Sequence, residues 1–317
     1  MSPRKLLFLV NAHAGKEAIR GPFLPILNTF VRAGYEPTVY LSQRAGELPD
    51  IAARRAEDFE LVVCSGGDGT LNETVNGLLR CKQPPVLGYI PAGTTNDFAT
   101  SLGLPRSMEK AAEAAVSGAA VQLDVGRLGS TYFSYVAAFG AFTDVPYATP
   151  QGSKNALGKL AYLLEGAQRL PSLRPYPVRV EHDGGVIEDD ILVGLVSNSS
   201  SVAGFPVGRL MDVSMSDGLL EVTLVRNPPS ILELTRIINH LLVSQLDPDM
   251  IYSFKTTKLR ITCDTPIPWT LDGEYGGDHL QADICNVPHA LRINVPVEQV
   301  LPQPGRKKIS GFGRRDP

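Results

Sequence analysis

The sequence predicts an α/β N-terminal domain with a parallel, Rossmann-like sheet, followed by a second, mostly antiparallel β-sandwich domain. Three observations carry this. Short apolar runs alternate with amphipathic stretches through the first third of the chain. Three of the first four runs end in loops rich in Gly, Asn, Asp and Thr. After about Asp124 the pattern changes to a succession of strand-like runs. Strand, helix, strand in this rhythm implies a parallel sheet, because a crossover between parallel strands needs about a dozen residues, usually a helix.

The first four strands are expected at Leu6–Val10, Pro37–Leu41, Leu61–Cys64 and Val86–Ile90, rich in Val, Leu and Ile as strands buried on both faces are. Helical patterns fill the intervals at Phe23–Ala33, Leu48–Arg55, Leu71–Leu79 and Met108–Ser117. Beyond them, strand-like runs are expected at Val121–Leu128, Tyr132–Phe139, Pro177–His182, Ile191–Ser197, Leu219–Val225, Leu259–Thr262, Pro268–Leu271, Ala282–Cys285 and Ala290–Val295. Helices near Asn155–Leu170 and Ser230–Gln245 interrupt them.

At 317 residues the chain has room for two domains, expected over 1–124 and 125–296. Residues 297–305 are placed back against the first domain, and 304–317 form a basic tail. Hydrophobic content of 43% with 20% charged residues is ordinary for a chain that buries real cores. The net charge is −3, against a nucleic-acid partner. Without the tail's five basic and one acidic residue the body carries −7. Such a tail either frays into solvent or touches an anionic membrane surface. Four cysteines stand far apart, with no C-x-x-C pair, as in a reduced cytosolic protein. The apolar stretch Leu6–Val10 is too short for a secretion signal and no segment is long enough to span a bilayer.

Chemistry concentrates where the strands end, since ligands of open α/β sheets bind at the carboxyl ends of the strands. The run Ser65-Gly66-Gly67-Asp68-Gly69-Thr70 follows a buried strand and precedes a helix that starts near Thr70. Consecutive glycines let the backbone approach a ligand, and their N–H groups with the helix N-terminus make an anion cradle. Asp68 beside phosphate calls for a cation between them, and Mg²⁺ resolves that conflict. The plainer reading is an Asp-Gly turn with Thr70 as the helix cap. Gly15-Lys16 is followed by Glu17, so no Walker loop is present, and Pro91–Asp97 lacks the G-x-G-x-x-G fingerprint.

Gly66-Gly67-Asp68-Gly69-Thr70 with Asn72-Glu73 and Asn76-Gly77 resembles the signature of the diacylglycerol kinase catalytic domain. Gly93-Thr94-Thr95-Asn96-Asp97-Phe98-Ala99 and Leu102-Gly103-Leu104-Pro105 resemble its second signature. The resemblance runs to Asp272-Gly273-Glu274, and the layout is similar to the bacterial lipid kinases, relatives of sphingosine kinases with an NAD kinase-type fold. It implies ATP and Mg²⁺. Asn11 and Gly15 match the first nucleotide loop, with Ala12 where the family has Pro. Ser42 falls where the family often has a nucleotide-contacting Thr. Residues 67–73 would hold the phosphates, Thr94 would add a contact, and Asp97 would join Asp68 in a magnesium–water network.

In the second domain, Ser214-Met215-Ser216-Asp217-Gly218-Leu219-Leu220-Glu221-Val222 resembles the family segment in which an aspartate, here Asp217, binds a structural Mg²⁺ with backbone carbonyls such as those of Ser214 and Leu219. From the residues alone the same segment is a turn before a strand. Asp272 and Glu274 flank a glycine after an apolar run, a pairing that can divide roles between a base and an orienting group. By resemblance Glu274 is the proton acceptor, with Asp272 its partner or rival; a hairpin turn with solvated acids is the alternative. Asn198–Gly208 matches a small-residue loop that either lines a lipid entrance or is an ordinary glycine loop. Lys16, Lys154 and Lys159 either meet phosphates or, the preferred reading, are solvated, and His13 is read as a loop residue. The implied activity is phosphoryl transfer from ATP to a lipid hydroxyl, foremost diacylglycerol. Ceramide- or sphingosine-like lipids, monoacylglycerol and phosphatidylglycerol are alternative acceptors. NAD kinase and a non-catalytic nucleotide sensor are more distant rivals. The expected setting is the cytoplasm with transient contact at the membrane surface, and a homodimer is possible through exposed sheet edges.

Overall fold

The computed structural model describes residues 4–11, 14, 19–140, 174–199, 214–230, 233, 236–237 and 249–300. The first strands are β1 (Arg4–Val10), β2 (Tyr35–Leu41), β3 (Leu61–Gly66) and β4 (Val86–Pro91). They lie in the order β4-β3-β1-β2 with every neighbouring pair parallel. Leu6 to Val10 and Leu61 to Gly66 are buried throughout, each large apolar side chain contributing about 1.5–3 kcal/mol by leaving water. Helices cover both faces. α1 (Phe23–Arg32) and α5 (Met108–Ser117) pack with Phe8, Ile26, Phe30 and Ala112 on one side. α2 (Leu48–Arg55) and α3 (Asp68–Leu78) pack with Leu7, Leu9, Val62 and Val75 on the other. Between β4 and α5 lies α4 (Asp97–Ser101), a single short turn with no periodic pattern to announce it.

The remaining strands are β5 (Ala119–Leu128), β6 (Thr131–Phe133), β7 (Val136–Gly140), β8 (Tyr176–His182), β9 (Gly185–Ser197), β10 (Leu220–Arg226), β11 (Ile251–Thr256), β12 (Lys258–Leu271) and β13 (Glu274–Val295), followed by α6 (Val297–Val300). Their pairing is antiparallel, apart from one parallel contact of β13 with β4 at Ile293 and Leu87. Through that contact the two regions join in a 13-stranded sheet. β13 therefore carries Glu274 at one end and reaches the parallel strands at the other. A register shift between Val287 and Leu291 lets it turn from one surrounding to the next.

Several expectations change. Tyr132–Phe139 is two strands, broken at Ser134-Tyr135, whose N–H groups turn away from the ladder. The two runs at 259–262 and 268–271 are one strand with a register shift, as are those at 282–285 and 290–295. β11 was not expected. The helix at 155–170 lies outside the described residues, as does most of 230–245, of which Glu233, Arg236 and Ile237 are helical.

Candidate active site

The carboxyl ends of β1, β3 and β4 meet in register, Val10 with Ser65 and Gly66 with Pro91. Backbone bonds continue the alignment into the loops, from Asn11 N to Ser65 O at 2.9 Å and from Ala92 N to Gly66 O at 2.7 Å. Tyr89, buried under the loops, donates its hydroxyl to Gly66 O at 3.2 Å. The loops touch glycine to glycine: a Cβ on Gly93 would stand 2.6 Å from Gly67 Cα. Asn96 takes a left-handed conformation (φ +52°) and closes its loop reciprocally. Its Oδ1 accepts from Gly93 N at 2.9 Å and its Nδ2 donates to Gly93 O at 2.8 Å. Asn96 thus shapes the loop, leaving Thr94 exposed at its tip.

α3 begins at Asp68, not near Thr70, because Gly67 is extended and occupies the cap position. Thr70 is inside the helix and buried, its Oγ1 accepting from Asn11 Nδ2 at 3.1 Å. Asp68 stands between two helix beginnings. It lies in the first turn of α3, and its carboxylate accepts from Asp97 N (3.1 Å) and Phe98 N (3.4 Å) at the start of α4. Burial, then the charge of neighbouring Asp97, push the Asp68 carboxyl up to about 6 against those two donors. Asp97 is itself 3% exposed.

Asp272 and Gly273, both at positive φ, make the two-residue turn between β12 and β13, with Leu271 paired to Glu274 across it. The hairpin turn of the alternative reading is present, but only one of its two acids is solvated. Asp272 is 3% exposed and each of its oxygens takes two donors. Oδ1 accepts from Tyr135 N (2.9 Å) and Val136 N (3.0 Å), and Oδ2 from Ser134 N (2.6 Å) and Asn72 Nδ2 (2.7 Å). Burial, the larger influence, raises its pKa against the opposing pull of these donors. All four partners are N–H donors, which a carboxylate accepts and a protonated oxygen would turn away. Glu274, in contrast, is exposed. Its carboxylate hangs over the first turn of α3, with Oε1 2.9 Å from where a Cβ on Gly69 would lie. The hairpin therefore delivers one acid into the backbone and the other to the glycine loop.

The asparagines of the first signature stitch α3 to β6. Asn72 Nδ2 also reaches Tyr132 O (3.1 Å). Asn76 donates to Tyr132 O (2.9 Å) and accepts from Tyr132 N (3.0 Å). Glu73 accepts from Gly46 N at 2.9 Å, tying the β2–α2 loop to α3. Ser42, at the end of β2, is buried and bonded through its N–H to Val10 O. Gly15, Lys16, His13, Lys154, Lys159 and residues 200–208 lie outside the described residues.

The segment around Asp217 is held by Asp124, a residue that no local pattern singles out. Its buried carboxylate accepts from Gly218 N (2.7 Å), His289 N (2.8 Å) and Asn286 Nδ2 (3.3 Å). Asp217 accepts from Leu219 N at 3.2 Å and pairs with Lys255 Nζ at 3.0 Å. Burial pushes the Glu221 carboxyl up to about 7, with Lys255 opposing.

Two acidic places bear on the expected divalent ion. Asp68 and Asp97 crowd each other's charge at the mouth of the glycine loops. Mg²⁺ ordinarily takes one or two protein carboxylates and fills its shell with phosphate oxygens and water. Among the described residues no cluster of three or more His, Cys, Asp or Glu is arranged for a metal. Near Asp217, neither oxygen of Glu221 accepts a well-formed hydrogen bond.

The chain is similar to known proteins over most of its length. Residues 5–128 match the diacylglycerol kinase catalytic domain, and residues 143–295 match the YegS C-terminal NAD kinase beta sandwich-like domain. A diacylglycerol kinase of Bacillus subtilis is 34% identical over 300 residues, covering 93% of this chain and 98% of that protein. One of Staphylococcus carnosus is 34% identical over 299 residues, covering 92% and 95%. The crystal structure of a diacylglycerol kinase from Bacillus anthracis shares the fold at a TM-score of 0.73 and 21% identity, covering 93% of this chain and 98% of that one. No described helix is long and apolar enough to cross a membrane. The chain belongs to the diacylglycerol kinase family and is a lipid kinase.

Proposed function

We propose that the protein transfers the γ-phosphoryl group of ATP to the free hydroxyl of diacylglycerol, giving phosphatidic acid and ADP. The observation that carries this reading is the placement of Glu274, an exposed carboxylate, over Gly69, the residue next to Asp68 in the glycine loop. Asn11, Gly15, Ser42, residues 66–70 and Thr94 are assigned to the nucleotide; Asn72, Glu73 and Asn96 shape the loops that receive it. Glu274 takes the hydroxyl proton as the lipid oxygen bonds to phosphorus and the bond to the bridging β–γ oxygen breaks. Asp272 is not the base in this reading, because its oxygens are already filled by four donors. Its task is to fix the hairpin that aims Glu274. Mg²⁺ held through Asp68 and Asp97 would neutralise charge on the transferring phosphate. A second Mg²⁺, through Asp217 with the carbonyls of Ser214 and Leu219, would brace the segment before β10. The transition state is loose, so positioning and charge neutralisation outweigh the base.

A lipid acceptor takes the enzyme to the membrane surface, which we place on the cytoplasmic side, and among the described residues the sheet edges at β2 and β11 offer pairing surfaces for a homodimer. The test is transfer from γ-labelled ATP to a panel of diacylglycerol, monoacylglycerol, ceramide, sphingosine, phosphatidylglycerol and NAD. Label passing to the organic phase with diacylglycerol foremost is expected. Preferred transfer to another lipid replaces the acceptor, and transfer to a water-soluble dinucleotide overturns the reading.

A further inference from the structure

Behind the Asp217 segment, one ammonium serves two carboxylates. Glu221 on β10 faces Lys255 on β11 directly across the ladder. Lys255 Nζ stands 3.2 Å from Glu221 Oε1 and 3.0 Å from Asp217 Oδ2. Glu221 is 2% exposed, and neither of its oxygens accepts a well-formed hydrogen bond among the described residues. Desolvating a carboxylate is expensive unless a cation stands beside it. The oxygen of Asp217 that meets Lys255 is not the one engaged by Leu219 N, which is Oδ1. Any cation brought to Oδ2 of Asp217 therefore meets a positive charge already there.

We propose that Lys255 and a divalent cation compete for Asp217, and that Glu221 decides the contest by retaining the ammonium when the metal arrives. This rests on the reading that Asp217, with the carbonyls of Ser214 and Leu219, takes Mg²⁺. Lys255 is then a built-in counter-ion that holds the segment together in the metal-free protein and sets a threshold for metal binding. Glu221 is the parking place that makes the exchange reversible, since without it the ammonium has Asp217 alone. Two like charges within a few ångströms near a protein surface repel strongly, so removing one should tighten the site about tenfold or more.

The experiment is calorimetric titration of MgCl₂ into the full chain, free of nucleotide, at pH 8 and low salt. It uses wild type, Asp217→Asn, Lys255→Met, Glu221→Gln and the double variant Glu221→Gln/Lys255→Met. The Asp217→Asn protein identifies the heat that belongs to this site. Lys255→Met is expected to bind Mg²⁺ about tenfold tighter than wild type, and Glu221→Gln several-fold weaker. Changes in opposite directions cannot come from a general loosening of the fold, which would weaken both. Should Lys255→Met not fold, the same tenfold gain is expected between Glu221→Gln and the double variant, where no carboxylate is left stranded. Equal or weaker binding on removal of Lys255, with the Asp217-dependent heat intact, overturns the competition. Heat unchanged by Asp217→Asn overturns the underlying metal reading instead, and the competition with it.

Discussion

Replacing Asp68 by Asn should abolish phosphoryl transfer and yet make the metal-free protein more stable at pH 8. The Asp68 carboxyl is raised from 3.8 to about 6, chiefly by burial and then by Asp97. A folded-state pKa above the unfolded value means that the fold holds this proton more tightly than the open chain does. The group's contribution is therefore most favourable below about pH 4, declines as pH rises through the interval to 6, and is lost above it. Two pKa units correspond to about 3 kcal/mol of penalty for the ionised form. Asn keeps one of the two acceptor bonds to Asp97 N and Phe98 N and forfeits the other, returning about 1 kcal/mol or more. A net gain of roughly 1–2 kcal/mol remains at pH 8, about 2–6 °C in Tm for a chain of this size. Thermal unfolding in a chelator at pH 8 and again at pH 4.5 reads it directly, since the gain should shrink towards zero at the lower pH. Saturating Mg-ATP should reverse the order, stabilising wild type and leaving the variant unmoved. A variant less stable than wild type at pH 8, or a gain equal at both pH values, would refute an unrelieved charge at Asp68.

Glu274→Gln should lower turnover by about a hundredfold or more while leaving Tm and the KM for ATP close to wild type, as loss of general catalysis by an exposed residue does. Asp272→Asn should act in the opposite sense. An amide cannot replace a carboxylate among four donors, so unfolding in urea should register a loss of about 3 kcal/mol, and activity should fall with the folded fraction. Wild-type stability with dead chemistry in Asp272→Asn would reverse the two roles. Gly93→Ala places a methyl 2.6 Å from Gly67 Cα, so the loops must part. The KM for ATP should rise at least tenfold, whereas an unchanged KM would remove these loops from the nucleotide.

What the sequence reveals and conceals about this site follows from the range of the interactions. β1 and β3 are legible because burial on both faces leaves continuous apolar runs. The glycine loops are legible because a close backbone approach writes Gly into the chain at the point where it occurs. Asp272 is different. An Asp-Gly turn reads alike whether its acid points to water or into the protein, and here the donors that decide the matter come from residues up to 200 positions away. Thr70 was a reasonable cap by local chemistry, but the extended Gly67 begins the helix earlier and turns Thr70 inward to Asn11. Asp124 carries no motif, since what makes it important is three donors arriving from Gly218, Asn286 and His289. The site's acids are thus sorted by depth rather than by residue type. Glu274 remains exposed to chemistry, Asp68 is half-withdrawn and electrostatically strained, and Asp272 is wholly consumed in holding β7, α3 and the hairpin together. Three acids with three such different surroundings suit three different roles, which is why the proposed base is Glu274, the exposed carboxylate that lies over Gly69.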